Sequence, residues 1–157
     1  MRTRYKMLSD LGYALLLLVL AFIYISASDI YPILPPLLGL LFMIFHQSFK
    51  RREFYRVIAV FLILGFFELD KLLVFGILPL VFFVIRYFVT LRLEDIANEN
   101  LFFVSLYVVG IYLFYIAGML LSNILFGTLN IDFKPILIYY FIIDLLVTLA
   151  YAKIRKL

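Results

Sequence analysis

The chain has no cysteine, no tryptophan and a single histidine in 157 residues. Without thiols there is no disulfide, no thiolate metal site and no cysteine nucleophile, and one imidazole cannot assemble a zinc signature. Charge is also scarce, at 15% Asp, Glu, Lys and Arg against 67% hydrophobic and 19% aromatic residues. A soluble domain of this size could not hide that much apolar surface, whereas a bilayer accepts it. The apolar runs are continuous and do not alternate, which excludes the period-two strands of an outer-membrane barrel. The seven glycines stand singly, so no phosphate loop, dinucleotide-binding turn or nucleophile elbow is present. The expectation is an all-α polytopic membrane protein with one transmembrane domain over residues 1–157, no catalytic site, no metal and no cofactor.

What is present divides into six apolar segments, expected as spans at about 8–26, 33–49, 57–69, 72–91, 101–121 and 135–152. Arg2, Arg4 and Lys6 precede the first. Ser26-Ala27-Ser28 is similar to the small-residue site that ends a signal peptide, but an uncleaved first span leaves the rest of the chain with a consistent topology. Pro32, Pro35 and Pro36 set the turn before the second span. Gly76 and Pro79 lie in the fourth, where the missing proline N–H predicts a kink or an irregular turn.

The third segment draws attention. Val57 to Phe67 is apolar for eleven residues before Glu68-Leu69-Asp70-Lys71, and at ~1.5 Å per residue it reaches only about 16 Å, half of a ~30 Å hydrocarbon core. Glu68, Asp70 and Lys71 are therefore expected to be drawn below the surface, into a cavity or partner contact at a tight hairpin. A solvated turn with a Glu68–Lys71 ion pair is the plainer alternative.

Six spans bring both termini to one side. Twelve Lys and Arg then fall on that side, including Lys50, Arg51, Arg52 and Arg56, against Lys71 and Lys134 on the other. This is the bias of an N-in, C-in protein under the positive-inside rule. It explains the net charge of +4 without nucleic acid. The Lys50–Arg56 loop is also a candidate for contact with lipid head groups or cytoplasmic partners.

Taken together, the proline-marked second span, the short third span, Gly65 followed by Glu68 and Asp70, the Gly76-bearing fourth span, and Asp132-Phe133-Lys134-Pro135 opening a last span with a basic tail resemble the rod-shape-determining protein MreD family. The same outline is similar to the substrate-binding subunits of energy-coupling-factor vitamin transporters. Glu68 lies three residues and Asp70 five residues after Gly65, which departs from the family's glycine-to-aspartate spacing and leaves open which acid corresponds. The first resemblance implies a non-enzymatic component of the cell-elongation machinery in the bacterial inner membrane. Its implied partners are a bitopic MreC-like protein and, through it, MreB and the peptidoglycan synthase. The second implies a small-molecule site between the third segment and the fifth and sixth spans.

Three further positions carry expectations. Asp144 stands nine residues from both Pro135 and Lys153, so its carboxyl is expected to be protonated or hydrogen-bonded to another helix, with Ser105, Tyr107, Tyr112 and Thr148 as candidate partners. It could serve as a helix-to-helix clamp or as a proton or ligand site. Gly118 and Ser122 form a small-xxx-small pair that suits a close neighbouring helix, internal or a partner's. His46 reads as a polar cap at the cytoplasmic end of the second span.

Overall fold

The computed structural model describes residues 2–31, 33–71, 74–87, 101–126 and 136–154, without the side chains of 2–6, 101, 119, 121–123, 125 and 126. Six helices and no strand occur among the described residues: α1 (Arg2–Ile30), α2 (Leu38–Lys50), α3 (Phe54–Asp70), α4 (Ile77–Ile85), α5 (Leu101–Phe126) and α6 (Ile136–Ile154). Arg92, Asp132, Lys134, Pro135, Arg155 and Lys156 lie outside them, as does the side chain of Ser122.

The segment expected to be short is longer than the charge pattern implied. α3 has 17 residues, about 26 Å of helix, and begins before Arg56. That arginine does not end the apolar helix because Asp10 Oδ1 and Glu53 Oε2 meet its guanidinium at 2.9 and 2.8 Å. The short elements are α2, with 13 residues, and α4, with 9. The fourth helix starts at Ile77, several residues later than expected, after Gly76 in the left-handed region at φ 95°. Pro79 consequently falls in the first turn, where its missing N–H had no helical partner to lose. The irregular backbone is ahead of the proline.

α1 and α3 lie side by side and parallel. Asp10 meets Arg56 near their N-termini, and Asp29 meets Lys71 at their C-terminal ends. α2 packs against α3, α5 and α6, and α4 packs against α3 and α5, so the two short helices fill the middle. They join through aromatic rings: Phe42 and Phe82 meet edge-on at 5.3 Å, and Phe45 and Phe82 at 5.9 Å, with all three side chains fully buried. Phe61 of α3 stacks on Phe83 at 5.1 Å. Each such pair adds about 0.5–1.5 kcal/mol beyond its contact area.

The reversal from α2 to α3 takes three residues, Arg51, Arg52 and Glu53. Arg52 N–H donates to Phe49 O at 3.2 Å and Glu53 N–H to Ser48 O at 2.8 Å, the two bonds of a Schellman motif. Arg52 holds its left-handed position at φ 58°.

Outside this core much of the described surface is apolar. Leu15, Leu16, Val19, Leu20, Phe22 and Ile23 of α1 are each more than half exposed, because α1 packs chiefly on α3. Met7–Ile30 and Ile136–Ile154 are long and apolar enough to cross a membrane, and both are little covered by the rest of the protein.

Candidate functional site

α2, α3 and α4 all begin without a cap from their own N-cap side chain. A helix start leaves backbone N–H groups unpaired and carries roughly half a positive charge. In each case a buried carboxylate from a different helix supplies the missing acceptor.

For α2, the carboxylate is Asp144 of α6. Leu37 occupies the N-cap in the left-handed region at φ 49°, directly after Pro35-Pro36, and has no oxygen to offer. Asp144 Oδ2 accepts from Gly39 N–H at 2.7 Å and from the Tyr112 hydroxyl at 3.1 Å. Its Oδ1 accepts from Leu40 N–H at 3.4 Å and the Thr148 hydroxyl at 3.3 Å. Asp144 is fully buried, and this ring of donors complements an anion. Asp144 thus links α6 to α2 and α5, and two of its expected candidate partners, Tyr112 and Thr148, are in contact with it. Tyr107 instead lies between Phe42 and His46.

Gly39 makes the approach possible. A Cβ there would stand 2.8 Å from Thr148 Oγ1 and from Val108 Cγ2, and 3.2 Å from Asp144 Oδ1. The turn before α2 is also held from α1, whose Tyr24 hydroxyl donates to Pro35 O at 2.7 Å.

For α4, the carboxylate is Glu68 of α3. Its Oε2 accepts from Gly76 N–H at 2.7 Å and its Oε1 from Leu78 N–H at 2.6 Å. Glu68 is fully buried. It is therefore neither at a cavity mouth nor paired with Lys71, because both oxygens are committed to the start of the next helix. α3 continues through Glu68, Leu69 and Asp70, so the hairpin begins only at Lys71. Lys71 pairs across to Asp29 and, at 3.3 Å, with Asp70. Burial pulls the Lys71 ammonium down, but its hydrogen bonds and charge pairing with Asp29 and Asp70 outweigh this, so its pKa rises above the ordinary 10.5.

For α3, the carboxylate is Asp10 of α1, whose Oδ2 accepts from Tyr55 N–H at 3.3 Å. Its other oxygen holds Arg56, and that guanidinium lies 4.6 Å from the Tyr13 ring centre. Arg56 is therefore spent inside the bundle and does not join the exposed Lys50, Arg51 and Arg52 as a lipid contact. Asp10 carries no sequence signal of its own. Its function lies in what approaches it from 45 residues away.

The remaining candidates fall as follows. His46 is buried within the bundle, near the C-terminal end of α2. Arg86 stands 3.1 Å from its Nδ1, and since arginine only donates, that nitrogen accepts. Gly118 faces α4, where a Cβ would come within 2.9 Å of Ile77 Cγ2, so its small size serves an internal contact. Among the described residues no three His, Cys, Asp or Glu side chains are grouped to hold a metal.

A recess lies on the flank between α1 and α3. Leu18, Val19, Phe22 and Ile23 of α1 face Leu62, Gly65, Phe66 and Leu69 of α3 across a groove of about 650 Å³ whose lining is apolar throughout. Gly65 is among the lining residues, and the ring of Phe75 lies 3.2 Å from where its Cβ would stand. No family model matches the chain, and no curated protein or solved structure matches it either.

Proposed function

We propose that the chain is a six-span, N-in/C-in protein of the bacterial inner membrane that serves as a non-enzymatic scaffold of the cell-elongation machinery, holding a bitopic, MreC-like partner by that partner's single span. The observation that carries this reading is the α1–α3 groove. It runs for about two helical turns, and every residue along it is apolar. An apolar groove open to lipid offers a second helix van der Waals packing along its length. At its outer end stand Asp29, Asp70 and Lys71, polar groups placed to meet the partner's chain as it leaves the bilayer.

The disposition of the buried acids supports the same reading. Asp10, Glu68 and Asp144 are engaged with helix starts, which leaves them as fixtures of the frame and not as groups poised for proton transfer. A water-soluble ligand needs several convergent polar groups to orient it. The transporter alternative placed its ligand between the third helix and the last two, and α2 and α4 occupy that space with Phe42, Phe45 and Phe82.

The chain's lack of cysteine makes the test clean. Single cysteines at Leu62 and Phe66 in the groove, and at Leu146 and Ile142 on the exposed face of α6, are introduced in cells that make the native partners. Cross-linking through the groove positions, and not through α6, to a single-span protein is the expected result. Equal labelling at all four sites, or no adduct at either groove site, overturns the reading.

A further inference from the structure

The basic loop divides into two unlike halves. Arg51 lines a recess of about 190 Å³ shared with Tyr13 and Tyr151, on the α1 and α6 side. Lys50 and Arg52 turn the other way and, with Arg86 from the end of α4, line a larger pocket of about 450 Å³. Three cationic side chains from two separate parts of the chain thus converge on one concavity. Its wall carries one carboxylate, Glu53, which is occupied by Arg56 at 2.8 Å.

Two features show that this arrangement is held in place. Arg86 is fixed between the Phe49 ring, 3.9 Å below its guanidinium carbon, and His46 Nδ1 at 3.1 Å. Arg52 occupies the left-handed position that closes the Schellman motif, where glycine is the unstrained choice. An arginine there accepts backbone strain and delivers a guanidinium to the pocket. The remaining wall includes Ser48, Phe54 and Val57, a hydroxyl and an apolar rim, with Phe54 and Phe49 both substantially exposed.

We infer that this pocket is a binding site for the phosphate head group of an anionic phospholipid, with Lys50, Arg52 and Arg86 holding the phosphate and Phe54 and Val57 lying along the first part of an acyl chain. Arginine forks match phosphate oxygens in geometry as well as charge. The inference rests on the membrane reading above but not on the scaffold role.

Native mass spectrometry of the full chain, released from nanodiscs of phosphatidylcholine with phosphatidylglycerol at equal amounts, tests it. Retention of phosphatidylglycerol over phosphatidylcholine is expected in the wild type. Arg52→Gly relieves the backbone strain and should fold at least as well, yet lose about five-fold in that preference, and Lys50→Ala with Arg52→Gly about 25-fold. Arg51→Gln removes the same charge from the other side of the turn and should change little. Equal loss from Arg51→Gln would show diffuse attraction to the surface and overturn the pocket, as would an unchanged Arg52→Gly. Displacement of the lipid by excess inorganic phosphate would assign the pocket to a free anion instead and overturn the lipid assignment. Failure of the wild type to enter zwitterionic nanodiscs would count against the membrane reading itself, a result distinct from loss of lipid preference.

Discussion

Replacing Asp144 by alanine withdraws one acceptor from four donors at once. The bond from Gly39 N–H, at 2.7 Å, is short and made to a carboxylate, the class worth about 1.5–3 kcal/mol. The contacts from Leu40 and Thr148, at 3.4 and 3.3 Å, are near the limit of useful length and add little. Tyr112 loses a partner at 3.1 Å, while the start of α2 loses its cap, a change that costs about 0.5–2 kcal/mol in helices generally. These overlap, so the expected loss is about 3 kcal/mol, or a fall in Tm of about 6–12 °C for a chain of this size. Asp144→Asn keeps one acceptor oxygen and should cost about 1 kcal/mol. Thermal unfolding followed by far-ultraviolet circular dichroism in mild detergent reads both values. Asp144→Leu is the decisive variant, because leucine fills the space but strands the same N–H groups. If it unfolds at or above the wild-type temperature, the carboxylate is a burden on the bundle and the capping argument fails.

Two glycines separate steric from conformational cost. Gly39→Ala drives a methyl into Thr148 and Val108 and should cost about 1–3 kcal/mol by overpacking. Gly76→Ala meets no atom within 4 Å but must adopt φ 95°, costing about 1–2 kcal/mol. The same unfolding measurement, repeated with Asp144→Asn in each background, should show coupling for Gly39→Ala and additivity for Gly76→Ala. Lys71 has a raised pKa in the folded state, so its pairing contributes fully below pH 10.5 and fades as pH rises through the folded value. A stability profile that falls above about pH 10, and falls less steeply in Lys71→Met than in the wild type, is expected. Because the lysine is partly exposed, the amplitude should be under about 1 kcal/mol.

Much of the helical outline was legible because apolar runs have only one stable backbone form in the absence of alternation. α5 and α6 start close to the expected positions, and the one-turn spacing of Asp144 and Thr148 pointed to a shared face. What the chain order could not disclose is who meets whom. Arg56 looked like a boundary because its neutralising partner, Asp10, is 46 positions earlier. Glu68 looked like a hairpin acid because the acceptor it needs to be is defined by backbone amides, and amides have no residue type. Gly39 gave no signal at all, since its value is the room it leaves for Thr148 and Asp144 on a helix 105 residues away.

That separation bears on how the molecule is made. The first turn of α2 leaves the ribosome long before Asp144 does, and nothing in its own neighbourhood can quiet those amides. The second helix must therefore wait, provisionally wound or wetted at its tip, until the last one arrives. A chain truncated ahead of α6 would be an unfinished object well upstream of the cut, and quality-control proteases should recognise it there.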